Sequence, residues 1–404
     1  MTPDERWPDD FLEGLRAEAD PLADDTVAAL FAQGEVEAVN KLFGQLICND
    51  DPLTADLPPE ARAYFEATEK LPAWADPELI VRGEKVFMQY GVLGLVGLLG
   101  GALPECYALA KGVKVLCLTQ KLTAHTRRRL YETAQMVVDV MAPGGLGPKG
   151  GGIRAAQKVR LMHATIRHLL LLPPAEADRT LRDVKSFATV LGQQQWDPAL
   201  GAPINQEDMA FTLLTFDSVI RRVWATLGAE LSPEDVNAYH HCWKVVGYIM
   251  GVREDLLMSS PDDADALFQR IRAHQQGASD EGRLLTRALM DTITDVLDLP
   301  IGGRLAPVLL LRTGLSPQTA NLLGVPELPR VVLWVSAPVF WTLNLVIDAR
   351  DALARDIPGF DCIVQWFGRR WVERLTRINR GWERKLFRLP EHLATAWRVP
   401  QAGA

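Results

Sequence analysis

An all-α fold is what this sequence predicts, on three observations. Long stretches rich in Ala, Leu, Arg and Glu repeat apolar residues at helical spacing, with few of the β-branched alternations that suit strands. Glycine (31) and proline (26) sit near average usage. Apolar residues make up 48% of 404 positions, enough core for one large or two ordinary domains.

Residues 1–75 read as an acidic helical extension, interrupted at Pro21, Pro52, Pro58-Pro59 and Pro72. The main body, 76–300, opens with a helix over Pro77–Tyr90 and the glycine-rich apolar run Gly91–Pro104. That run falls short of the roughly 20 residues a bilayer core demands, so close packing explains it better. Helical pattern continues over Tyr107–Cys117 and Thr123–Met141 until Pro143-Gly144-Gly145 stops it. The loop Pro143–Gly152 holds six glycines, yet it follows a helix and lacks the Gly-Lys-Ser/Thr ending of a phosphate loop. A flexible connection is expected there. Helices then read over Ile153–Leu172, Glu207–Leu227, Pro233–Met250, Asp262–Gln276, Glu281–Leu297 and Pro317–Leu323. Residues 301–404 read as a helical region packed on the body; Val331–Ile347, uncharged but interrupted by Pro338, suits a buried kinked helix better than a membrane span.

The net charge of -8 argues against general affinity for nucleic acid. Charge is uneven: residues 1–60 hold fifteen Asp/Glu against three Lys/Arg, whereas Arg369–Arg398 holds nine Lys/Arg and three Glu. The basic end interleaves Trp371, Leu375, Ile378 and Trp382 with arginines, so it reads either as a solvated face or as a peripheral membrane contact. Cys48, Cys106, Cys117, Cys242 and Cys362 are odd in number and form no CxxC, which fits reduced thiols. The N-terminus lacks a basic segment followed by an apolar one, so the expected location is cytoplasmic.

Chemistry concentrates in two helical runs. In Arg129-Leu-Tyr-Glu-Thr133, Arg129 and Thr133 share an arc with Met136 and Val140, while Glu132 falls toward the polar face beside Arg128 and Asp139. A guanidinium on such a face needs an anionic or polar partner, either a carboxylate of the chain or a ligand. In Arg160-Leu-Met-His-Ala-Thr-Ile-Arg167, His163 lies beside Val159, Ile166 and Leu170, with Arg160 and Arg167 on the next stripe. Such a histidine is either a hydrogen-bonded core residue or a metal ligand. No histidine pair has HExxH spacing, so a lone imidazole in an apolar pocket, with arginines to meet carboxylates, would suit haem iron better than zinc. His240 and His241 either face the same pocket or pack as ordinary helix residues. No serine or cysteine sits in a nucleophile motif, which demotes hydrolase chemistry.

Arg82-Gly83, Arg129-Leu-Tyr-Glu-Thr133, Val159–Arg167, Gly201-Ala-Pro-Ile-Asn-Gln206-Glu-Asp-Met and Trp243-Lys-Val-Val-Gly247 occur in order over roughly residues 75–255. Together they resemble the family of bacterial latex clearing proteins and the fungal prenyl-chain-cleaving oxygenase of mycophenolic acid synthesis. The resemblance implies a globin-like helical core with one haem b, His163 as its iron ligand, and Arg129, Thr133 and Arg167 near the haem. It also implies that O2 cleaves an isoprenoid C=C bond to two carbonyls. Glu132 occupies the position just before the threonine, where rubber-cleaving relatives carry a lysine, so its catalytic part differs from theirs. Lys111, Val113 and Lys114 occupy the neighbourhood of those relatives' distal acid. A small prenylated or otherwise hydrophobic substrate is the expectation, with a non-catalytic binder of haem or a hydrophobic ligand as the alternative.

Overall fold

The computed structural model describes residues 2–32, 57–121, 126–148, 150–173, 196–297 and 305–328. Among them the chain is helical throughout, and the only extended pairing is an isolated bridge between Leu109 and Gln276. Val331–Ile347 and the basic C-terminal segment lie outside the described residues, as do Cys48, Cys362, His125 and His392.

The helices run α1 (Pro3–Arg6), α2 (Asp9–Ala17), α3 (Pro21–Ala32), α4 (Pro59–Thr68) and α5 (Pro77–Gly97). A π-helical turn, Leu98–Ala102, carries α5 into α6 (Leu103–Tyr107), and α7 (Val113–Lys121), α8 (Thr126–Met141) and α9 (Gly151–Leu171) follow. Helix α10 (Gln206–Leu214) passes through a second π turn, Thr215–Val219, into α11 (Ile220–Thr226). The chain ends its described course with α12 (Pro233–Ile249), α13 (Pro261–Gln275), α14 (Asp280–Leu297), α15 (Leu305–Gly314) and α16 (Pro317–Leu322).

Many starts share one device, a capping side chain followed by proline. Ser232-Pro233, Ser260-Pro261 and Ser316-Pro317 each place a serine hydroxyl on the amide three residues on, and Asp76-Pro77 caps α5 likewise. Each cap is worth about 1 kcal/mol, and proline at the first position gives up only an amide that had no partner. The prolines therefore open helices that hydrophobic periodicity alone would leave unbounded.

Helices α5 and α12 cross at the centre. A Cβ on Gly83 would stand 2.4 Å from the Ala238 carbonyl oxygen and 2.5 Å from Cys242 Sγ, so only glycine admits this approach. The run Gly91–Pro104 continues α5 into one helical stretch, Pro77–Tyr107, that is long and apolar enough to cross a membrane, but about two-thirds of its most apolar part is buried against the rest of the chain, as in a core helix. Its glycines meet neighbours closely: a Cβ at Gly101 would lie 2.8 Å from Val219, and one at Gly314 would lie 2.3 Å from the Gly100 carbonyl. Pro104 has no amide hydrogen, and the Leu103 amide reaches back to Leu98, five residues earlier, so the helix widens there.

The loop Pro143–Gly152 is tighter than a slack connection. The Gly144 amide donates to Glu84 Oε2 at 2.8 Å and the Leu146 amide to Oε1 at 3.3 Å. Its amides thus wrap a carboxylate of the chain itself, and burial raises the Glu84 carboxyl despite those donors. A Cβ on Gly152 would strike the Asp139 carbonyl at 2.7 Å, so glycine lets α9 start against the end of α8.

The acidic N-terminus joins this core. Trp7, Leu12 and Leu15 belong to the main cluster with Phe87, Phe211 and Trp243. On α9, Arg160 forms a two-pronged pair with Asp20 at 2.6 and 2.7 Å and donates to the Ile249 carbonyl. Near the second π turn, buried Asp217 accepts from Arg221 at 2.8 Å and lies 2.7 Å from His240 Nδ1, whose Nε2 is 3.0 Å from the Met258 carbonyl.

Two outcomes test this packing. Gly83→Ala forces α5 and α12 apart and is expected to cost about 1–3 kcal/mol in urea denaturation, the usual range for overpacking; an unchanged midpoint contradicts the close approach. Burial disfavours the Asp217 carboxylate, but Arg221 and His240 outweigh it and hold the carboxyl at about 2, below its ordinary 3.8. Its stabilisation, roughly 2 kcal/mol, is complete above the unfolded value and disappears as pH falls through the folded one. Asp217→Asn is expected to destabilise at pH 7 and to flatten the loss of thermal stability between about pH 4 and 2.

Candidate functional site

Between α6, α7, α8, α9, α10 and α12 lies an apolar cavity of about 140 Å³. That is smaller than the ~300–1,000 Å³ usual for small-molecule sites, so the walls would part to admit a ligand of that size. Helix α9 contributes His163 and Ile166, and α8 contributes Met136. The opposite wall comes from α12 with Trp243 and Val246, and from the second π turn with Phe216. Phe216 and Trp243 pack with ring centres 5.0 Å apart, giving a broad aromatic surface. Helix α7 supplies Val115, Leu116 and Thr119, and α10 supplies Asp208, Met209, Thr212 and Leu213.

Polar atoms cluster on α6, α7 and α10. Thr119 Oγ1 donates to the Val115 carbonyl at 3.0 Å and Thr212 Oγ1 to the Asp208 carbonyl at 2.8 Å, so each hydroxyl offers the cavity lone pairs rather than its hydrogen. Cys106 Sγ lies 3.9 Å from Thr212 and 3.8 Å from Thr215. Burial pushes its thiol up to about 11.

Asp208 is the one carboxylate among the described lining residues. Its Oδ1 accepts from Arg16 at 3.1 Å and Gln275 at 3.3 Å, and its Oδ2 accepts from Asn205 at 3.0 Å. A Cβ on Gly112 would come within 2.8 Å of Oδ1, so that glycine clears the space. Behind it, Glu207 takes Arg16, Gln275 and His274 at 3.1, 2.5 and 2.7 Å; burial raises the Glu207 carboxyl even so. His274 also faces Glu13, a half-exposed residue. A chain of charged groups thus joins the cavity wall to the surface.

Of the residues singled out in the sequence, His163 lies on the cavity wall and is the only imidazole among the described lining residues. Glu132 and Thr133 are half-buried on α8 and are not on that described wall, which α8 reaches through Met136 one turn on. Arg129 lies on α8, with its side chain outside the described residues. Arg167 is turned to the chain itself: its Nε donates to Asp24 at 2.7 Å and its Nη1 to the Ile204 carbonyl at 3.0 Å. Arg160 is likewise committed to Asp20, so neither guanidinium is on the described wall. His240 is held by Asp217, and His241 Nε2 accepts from the Asp76 amide at 2.9 Å, which leaves Trp243 as the residue of that segment facing the cavity.

Sequence reasoning missed Asp208 and Ile204. The run Asn205-Gln206-Glu207-Asp208 is legible as a cap with an acidic first turn, and nothing in that pattern says which acid turns inward. Ile204 has φ +53°, the only positive value at a non-glycine residue among those described. A β-branched side chain in that region costs roughly 1–3 kcal/mol, and strain of this kind gathers at functional sites.

Among the described residues no group of three or more His, Cys, Asp or Glu could enclose a metal ion. A metal at this cavity would therefore need most of its ligands from elsewhere, as in a macrocycle with one protein ligand. For the thiol, thiolate is the reactive form, so Cys106 in the native protein is expected to resist iodoacetamide at pH 7.5 and to react as pH nears about 11 or on unfolding. Peptide mapping reads this directly, and rapid native labelling at pH 7.5 contradicts the burial.

Comparison with known proteins is consistent along the chain. The family pattern described as "ER-bound oxygenase mpaB/B'/Rubber oxygenase, catalytic domain" matches residues 83–345. A rubber oxygenase of Streptomyces sp. (strain K30) is 27% identical over 314 residues, covering 77% of this chain and 71% of the relative. A solved structure of latex clearing protein LCP in the closed state aligns with a TM-score of 0.66 at 24% identity, covering 89% of this chain and 91% of that one. At that identity the structural likeness speaks for fold.

Proposed function

Because the chain belongs to the mpaB/B' and rubber oxygenase catalytic-domain family, we propose that it is a haem b-dependent oxygenase that uses O2 to cleave a C=C bond of an isoprenoid or similar hydrophobic substrate. The observation that carries this reading is His163, the lone imidazole among the described walls of an apolar cavity.

Three features of the cavity lining support a flat macrocycle as its ligand. Trp243 and Phe216 offer aromatic surface, the walls are apolar, and the lining includes one imidazole, the number a five-coordinate haem iron would use. Propionate partners are a different matter: Arg160 and Arg167 are engaged by Asp20 and Asp24, so Arg129 is the arginine of the original set left for that role. When bound, the haem would supply dioxygen binding and activation.

The chain's own residues would do the rest. His163 would hold the iron through one ring nitrogen. Met136, Leu213, Val246 and Ile166 would align an alkene by shape, since they offer no hydrogen bonds. Asp208, Thr212 and Thr119 present acceptors, which suits a substrate bearing a hydroxyl or another donor near its double bond. Asp208 would take or return a proton at its Oδ atoms, and Glu207, His274 and Glu13 form a polar route behind it. Thr133 and Glu132 lie off the described wall, so they would act on the distal side through neighbours such as Met136, and glutamate in place of a lysine alters the charge there. That replacement favours the second reading, a binder of the same ligands without turnover.

An absorption spectrum of protein expressed with ample haem separates these readings. A Soret band that shifts with reduction and carbon monoxide is expected, and His163→Ala is expected to abolish it or weaken haem binding by more than about tenfold. Protein without a Soret band overturns the cofactor; O2 uptake that no prenylated substrate accelerates leaves the binder.

A further inference from the structure

We propose that Arg167 is a positioning residue, whose guanidinium holds Ile204 in a left-handed conformation so that the Ile204 side chain closes the cavity on the side of the His163 helix. Glycine would take φ +53° without strain, but it would bring no side chain to the wall. Isoleucine at this point trades conformational ease for surface. Its side chain lines the cavity together with His163 and packs against the cluster of Val115, Ile166, Leu169 and Leu170.

Both ends of the clamp are anchored. Arg167 lies one turn beyond His163 on α9, is almost wholly buried, and is oriented by Asp24 through Nε at 2.7 Å. Its Nη1 then meets the Ile204 carbonyl at 3.0 Å. On the other side Ile204 precedes Asn205, the cap of α10, and Gln206 pins that helix by donating to the Ala19 and Gly251 carbonyls at 2.7 and 3.0 Å. Because α10 carries Asp208, Met209, Thr212 and Leu213, the conformation of Ile204 sets how four wall residues stand relative to His163. Arg167 therefore acts through Ile204 and α10.

The structural part stands without any cofactor; the ligand part rests on the haem reading above. Hydrogen exchange on the full chain tests the first part, using peptides that span the Ala202 and Gln206 amides, which donate to the Arg16 and Glu18 carbonyls. Arg167→Gln is expected to speed exchange there by about tenfold or more, but by less than about threefold when Ile204→Gly is also present, because glycine has no strain to be held against. Equal acceleration in both backgrounds makes Arg167 only the ion-pair partner of Asp24 and overturns the proposal. Should Arg167→Gln fail to fold, Arg167→Lys keeps the charge opposite Asp24 while giving up the forked second donor, and the same comparison applies.

Hemin release to excess apomyoglobin tests the second part. Arg167→Gln and Ile204→Gly are each expected to speed release about tenfold, and the double variant no more than either alone. Release unchanged from the parent protein overturns the closing role of Ile204. Parent protein that takes up no hemin refutes the haem reading instead, and the exchange comparison still decides the clamp.

Discussion

Charge pairing between α9 and the N-terminal helices is the constraint on which the rest depends. Arg160 and Arg167 project from one stripe of a helix that is buried along most of its length, and an unpaired guanidinium there would cost several kcal/mol. Asp20 and Asp24 meet them, so the start of α3 is drawn onto α9. The pairing also turns the helix: with its arginines facing α3, His163 is presented to the cavity. Gly251, with φ +83°, takes part in this, since a Cβ there would lie 2.6 Å from both Arg160 Nε and Asp20 Oδ2.

The cavity is the space left between elements whose spacing is set elsewhere. Gly83 lets α5 and α12 nearly touch backbones, which brings Trp243 down to the cavity roof. The two π turns pack near each other, and the residues just beyond or within them, Cys106 and Phe216, face inward. Widened turns of this kind rotate the following residues relative to a regular helix. Arg16 extends the same logic: a cation from α2 satisfies Glu207 and Asp208 together, and thereby keeps one carboxylate at an otherwise apolar wall.

Polar groups placed near a site on a helical wheel can thus belong to its frame. Arg167 reads as a ligand-binding cation from its neighbours on α9 and proves to be tied to Asp24 and Ile204. For His240 and His241, whose sequence setting suits either the pocket or ordinary helix packing, the structure shows the second: they are held by Asp217 and the Asp76 amide. In each case the partner lies far away in the chain, at separations that no local pattern reports. The glycines of Pro143–Gly152 behave alike, since the anion they wrap comes from Glu84 on α5.

The amino-acid sequence by itself determined the all-α class, most helix spans of the main body, the close packing of the glycine-rich run and the prominence of His163. Those features are local: helical periodicity, capping pairs and turn residues act over a few positions, so they are written in consecutive letters. Only the tertiary structure decided that α10 turns Asp208 inward, that Arg160 and Arg167 serve the scaffold, and that Ile204 bears a strained backbone at the wall. A buried charge goes wherever the fold supplies its counter-charge, and that depends on which distant helices meet.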